Sequence, residues 1–139
     1  MSNAMLQPVI VLVLWTFVMW TWMYATRIPA IQQSGMRMDP TLPRGEQMSQ
    51  LPAAVRWKAD NYNHLFEQPT LFYAVGLTLA LLGDATQASI WLAWAYVGLR
   101  VVHSVFQATI NKIEVRFALF TLSSLVLLAL SIRAAMAVF

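Results

Sequence analysis

Residues 9–26 read VIVLVLWTFVMWTWMYAT, eighteen positions without one charged side chain. A helix that crosses the hydrocarbon core needs about 20 mostly apolar residues and satisfies its backbone polar groups internally, so this stretch is expected to span a membrane. It has no basic segment ahead of it and no small-residue cleavage site behind it, which marks a retained helix rather than a secretory signal. Residues 88–108, with two interruptions, and 117–139, with one, repeat the pattern.

A further helix is less regular. Residues 71–82 are strongly apolar but only about half a bilayer long, while the preceding 53–69 carry Arg56, Lys58, Asp60, Asn61, Asn63, His64 and Glu67. Both halves read as one helix, its polar half near the headgroups or pointing into protein, with Pro69 bending it without ending it. The helices then run over about 6–28, 53–82, 86–109 and 113–138, and the fold class is all-α: an integral membrane four-helix bundle in one domain, 5–139. Met1-Ser2-Asn3-Ala4 ahead of Met5 reads as a cloning scar on a native start.

Composition agrees with lipid as solvent: 59% of the 139 residues are hydrophobic and 11% charged, against about a quarter charged in soluble domains. Without cysteine the chain has no disulfide, no thiolate metal site and no cysteine nucleophile, so any thiol chemistry uses a thiol brought by a substrate. The net charge of +3 comes from Lys and Arg scattered around the apolar helices, a membrane-surface pattern rather than a nucleic-acid stripe.

The connections fix an orientation. The side bearing the first and third connections holds Arg27, Arg37, Arg44, Arg56, Lys58, Lys112 and Arg116, whereas the Gly83-Asp84 turn has no Lys or Arg, so the first side is expected to be cytoplasmic. Arg133 is the dissenting charge. Trp20, Trp22, Trp91 and Trp94 fit interfacial anchoring, while Trp15 lies too deep for it. The long 29–52 connection, with Pro40, Pro43, Gly35 and Gly45, exceeds a turn and is a candidate functional loop.

Chemistry concentrates on three helices. Arg100, His103 and Gln107 fall at i, i+3 and i+7 and project from one face of an apolar segment, where such groups are costly unless they face the bundle interior. Asp60, Asn63 or His64, and Glu67 form a polar face on the second helix, and Asp60 or Glu67 is a candidate partner for Arg100. A packing ion pair, or a wet helix face, would use the same residues. Lys112 and Arg116, at i and i+4, offer two cations to an anion or to headgroups; beside a bound thiol a guanidinium favours the thiolate. His64 and His103 lack the spacing of a metal site, so no metal is expected.

Asn63-His64-Leu65-Phe66-Glu67 with Pro69 and Phe72, Arg100-Val101-Val102-His103, and Arg116 thirteen residues after that histidine resemble the membrane-associated proteins in eicosanoid and glutathione metabolism, the MAPEG family. The resemblance covers nearly the whole chain. It suggests a bacterial-type member related to microsomal glutathione transferases and prostaglandin E synthase, multi-pass in the bacterial inner membrane. What it implies is a homotrimer, with glutathione as co-substrate held between neighbouring subunits near the cytoplasmic side and an apolar acceptor entering from the bilayer. By the same resemblance Arg116 is the catalytic, thiolate-stabilising residue, and Asn63, His64, Glu67, Arg100, His103, Gln107 and Lys112 bind glutathione. The chain departs from the pattern where Asn63 and His64 replace an arginine and an asparagine, where Gln107 replaces a tyrosine, and where Pro69 follows Glu67 after two residues.

The function expected is a membrane-bound glutathione-dependent transferase or peroxidase acting on lipophilic electrophiles or lipid hydroperoxides. The departures motivate an alternative, a non-enzymatic lipid-binding or scaffold protein of the same fold. Asp60 and Glu67 motivate a third, a small four-helix cation transporter.

Overall fold

The computed structural model describes residues 3–139; residues 1 and 2, half of the expected cloning scar, lie outside the described residues. Regular structure among the described residues is helical: α1 (Leu6–Ser34), α2 (Ala53–His64), α3 (Pro69–Leu81), α4 (Gln87–Thr109) and α5 (Ile113–Val138), with a short 3-10 turn at Met48–Gln50. α1, α4 and α5 are long and apolar enough to cross a membrane. The chain is an integral membrane helical bundle whose second member is in two pieces, α2 and α3.

The division has a local cause. Pro69 has no N–H to donate and its ring crowds the carbonyl four residues back, so an uninterrupted helix cannot pass through it without loss. Residues 65–68 make tighter turns instead: Phe66 N–H donates to the Asn63 carbonyl (3.0 Å), Glu67 N–H to that of His64 (3.1 Å), and Leu71 N–H to that of Gln68 (2.9 Å). Pro69 then starts α3, where its missing donor costs nothing. The expectation of a bent but continuous helix over 53–82 is corrected on this point.

α1 is longer than the sequence suggested. Its 29 residues extend about 43 Å, against a hydrocarbon core of about 30 Å, so one end projects into the headgroup region. Gly35 stops it at φ 68°, in the left-handed region that a Cβ disfavours. Asn3 is ordered at the other end, its carbonyl accepting from the Leu6 and Gln7 N–H groups.

The core is apolar and interdigitated. Leu12, Met19, Phe72, Leu79, Tyr96, Leu127 and Leu130 are buried, and Phe72 stacks on Tyr96 at 4.7 Å between ring centroids. Leu14, Phe17, Leu71, Phe117, Leu125 and Leu128 are exposed instead, as a lipid-facing surface requires. α1 and α3 approach closely where Gly76 lies: a Cβ built there would stand 2.8 Å from Val9 Cγ2.

The Arg133 anomaly resolves in the α3–α4 turn. Arg133 Nε donates to Ser89 Oγ and its Nη2 to Thr86 Oγ1, both at 2.8 Å, while Ser89 Oγ donates to Asp84 Oδ2 at 2.9 Å. The guanidinium is thus occupied within the protein, next to a carboxylate. Burial alone would push the Asp84 carboxyl up; the Thr86 N–H, the Ser89 and Thr86 hydroxyls and the Arg133 charge outweigh it and hold the carboxyl below its ordinary value.

Candidate active site

The buried stripe of α4 runs Ser89, Ala93, Tyr96, Val97, Arg100, His103, Ser104, Gln107 and Ala108, a helical period that puts the expected triad on the inward face. Arg100 is 0% exposed, His103 1% and Gln107 6%. Three polar side chains are therefore held out of lipid and out of water. Each needs a partner that α4 itself does not supply.

His64, the last residue of α2, provides one. Its Nδ1 lies 2.8 Å from Arg100 Nη2, and its ring stacks on His103 with centroids 5.2 Å apart. With Arg100 as the donor, Nδ1 is the acceptor and the proton of a neutral ring sits on Nε2. Phe120 of α5 closes the far side of His64, its ring centroid 5.5 Å away. A cleft of about 240 Å³ opens here, lined by His64, His103, Gln107, Ile113, Arg116, Phe117 and Phe120.

Arg116 enters this cleft from the first turn of α5. Its Nη1 donates to Asn111 Oδ1 at 2.6 Å, and Asn111 sits in the tight α4–α5 turn at φ 56°, a left-handed conformation that asparagine tolerates better than most residues. That bond ties down one edge of the guanidinium. The same side chain lines the cleft.

Other atoms under the cleft have no hydrogen-bond partner among the described residues: Arg100 Nε and Nη1, His103 Nδ1, Ser104 Oγ and Gln107 Oε1. Buried polar atoms left this way are costly, of the order of 1–3 kcal/mol each, and mark a place where something else supplies the partner.

The sequence-derived set is only partly assembled in the chain. His64, Arg100, His103, Gln107 and Arg116 converge. The expected ion pair of Arg100 with Asp60 or Glu67 does not form: Arg100 meets His64, and the Glu67 carboxylate stands 3.8 Å from His64 Nε2, a contact that becomes an ion pair only when the imidazole is protonated. The Glu67 side chain is 69% exposed, because α2 ends at His64 and the turns that follow carry residue 67 away from the α2–α4 seam. Asn63, about 100° around α2 from His64, lines a different cleft with Arg27, Arg44, Arg56 and Asp60. Lys112 is exposed at the start of α5 and lines neither cleft.

Sequence reading missed a second polar link. Gln68 accepts from Tyr96 OH (3.2 Å) and donates to Ser124 Oγ (2.8 Å), joining the α2–α3 break to α4 and α5. A glutamine directly before a helix-breaking proline was its one available signal. Lys58 Nζ donates to the Ala108 carbonyl at 3.1 Å, satisfying the carbonyl end of α4, and stands 5.0 Å over the Trp22 ring.

A helical multi-pass membrane protein with a buried cationic seam, opening into a cleft between α2, α4 and α5, is the class that these features define. The sequence model of the MAPEG family matches residues 5–136, and the chain belongs to that family. Comparison with curated proteins and with solved structures gives no significant match.

Proposed function

We propose that the protein is a membrane-bound glutathione-dependent transferase or peroxidase, working as a homotrimer with the α2–α4–α5 cleft open to the cytoplasm. The observation that carries this reading is the set of unpartnered buried groups on Arg100, His103 and Gln107 directly beneath a cleft into which Arg116 projects. Family membership supports glutathione-related chemistry.

The donor set fits the ligand. Glutathione carries two carboxylates, an ammonium and a thiol, and two guanidiniums with imidazole and amide groups match its anionic parts by charge-assisted hydrogen bonds. The cleft is smaller than the 300–1,000 Å³ usual for small-molecule sites, so a single protomer takes only part of the tripeptide. A neighbouring subunit would complete it, and Glu67 and Lys112, both exposed on the protomer, are the groups positioned to be shared.

Arg116 stabilises the thiolate relative to the thiol, whose proton passes to water. The thiolate attacks an electrophilic carbon, a C–S bond forms, and the leaving group departs with its electron pair. Against a hydroperoxide it attacks the terminal oxygen: an S–O bond forms as the O–O bond breaks, leaving a glutathione sulfenic acid and an alkoxide that takes a proton from water and departs as the alcohol. A second glutathione then displaces that oxygen as water and closes the disulfide. The apolar rim of Ile113, Phe117 and Phe120 favours an acceptor that enters from the lipid side.

The test is the melting temperature of detergent-purified protein with millimolar glutathione or S-methyl glutathione, since a ligand of the folded state must stabilise it. A saturable rise, with conjugation that falls about a hundredfold or more in Arg116→Ala while the oligomer persists, is the expected result. Full activity in that variant refutes the role of Arg116. No rise in folded, oligomeric protein transfers the reading to a lipid-binding member of the same fold.

A further inference from the structure

A second polar cleft, of about 440 Å³, lies between the end of α1, the 35–52 connection and α2. Arg27, Arg44 and Arg56 line it, with Asp60 as its one carboxylate and Asn63 as a neutral amide. None of the three guanidiniums is in an ion pair among the described residues. Two positive charges are left in surplus, and Arg27 Nε is buried without a hydrogen-bond partner.

The arginines are fixed from separate elements. Arg56 Nε donates to the Leu51 carbonyl at 2.9 Å, which holds its guanidinium against the end of the loop. The loop that carries Arg44 is closed by Gln47, whose Nε2 donates to the Arg37 carbonyl (2.6 Å) and whose Oε1 accepts from the Asp39 N–H (2.9 Å). Asp39 in turn accepts from both the N–H and the hydroxyl of Thr41. Such a loop presents Arg44 at a set place.

We propose that the Arg27–Arg44–Arg56 cleft binds a phosphomonoester. A carboxylate has two oxygens and one charge; a phosphomonoester has three terminal oxygens and close to two charges at neutral pH, matching three planar guanidinium forks and a surplus of two. The volume falls within the range of small-molecule sites. The cleft begins at Arg27, directly after the uncharged run 9–26, which sets it at headgroup depth, so the phosphate comes either from a phosphatidic acid headgroup or from a soluble phosphate ester. This site is separate from the α2–α4–α5 cleft and does not rest on glutathione use.

The experiment measures thermal stabilisation of the detergent-purified full chain by three probes: short-chain phosphatidic acid, glycerol 3-phosphate, and short-chain phosphatidylcholine as control. Saturable stabilisation by phosphatidic acid alone assigns a lipid ligand, and stabilisation by both phosphomonoesters assigns a soluble one. In Arg44→Gln, an exposed loop change chosen because it spares the fold, the apparent affinity is expected to weaken about tenfold or more, while stabilisation by S-methyl glutathione is unchanged. Arg56→Gln gives a second reading of the same loss. Failure of both phosphomonoesters, an equal effect of phosphatidylcholine, undiminished binding in both variants, or competition by S-methyl glutathione overturns the proposal.

Discussion

Arg100 Nη2 of α4 and His64 Nδ1 of α2 meet at 2.8 Å, and this bond fastens the last residue of a broken helix to the most buried charge in the bundle. His64→Ala strands that charge without a side-chain partner, and the expected loss is about 1.5–3 kcal/mol, the range of a hydrogen bond to a charged group. Arg100→Met deletes the same bond but removes the charge as well, so it is expected to cost less. Detergent unfolding midpoints of the two variants decide the matter; a larger loss in Arg100→Met would mean that the charge is already compensated by groups other than His64.

Asn111 has two separable roles. Asn111→Gly keeps the left-handed turn but removes the oxygen that accepts from Arg116, so stability should hold while turnover falls. Asn111→Ala loses both, and the left-handed backbone should cost it about 1–2 kcal/mol besides. Equal turnover in wild type and Asn111→Gly would show that Arg116 needs no such support.

Gly76 permits the α1–α3 contact. Gly76→Ala brings a methyl to within 2.8 Å of Val9 Cγ2 on a stiff β-branched side chain, and a loss of about 1–3 kcal/mol is expected. Adding Val9→Ala should recover part of it. A double-mutant cycle on unfolding midpoints reads the coupling directly, and additivity would place the strain elsewhere.

The Asp84 carboxyl is held below its ordinary value in the fold, so its contribution to stability is present above about pH 4, the unfolded value, and is lost as pH falls through the lower folded one. Asp84→Asn is expected to reduce stability at pH 7 by on the order of 1 kcal/mol, a figure limited by solvent screening at this partly exposed turn. The gap between the variant and wild type should close below pH 4. Melting curves from pH 3 to 7 measure it, and a constant gap would show that the charge of Asp84 is not what matters.

What the sequence by itself determined is the solvent and the rods. The uncharged run 9–26 and its two counterparts require helices in lipid because no other open structure satisfies the backbone there, and the spacing of Arg100, His103 and Gln107 places them on one face whatever surrounds it. The family was legible there too: the resemblance carried by Asn63–Glu67, Arg100–His103 and Arg116 agrees with the family match over residues 5–136. Whether a polar residue joins the cleft was decided by the tertiary structure. Asn63 and His64 are adjacent in sequence yet line different clefts, and Glu67 is carried outward by the break at Pro69, because a helix turns about 100° per residue and a proline resets that rotation. Arg133, dissenting by charge count, is satisfied by Thr86 and Ser89, more than forty positions away in the chain. Hydrogen bonds between helices depend on how the rods pack, and the pattern along one rod does not contain that information.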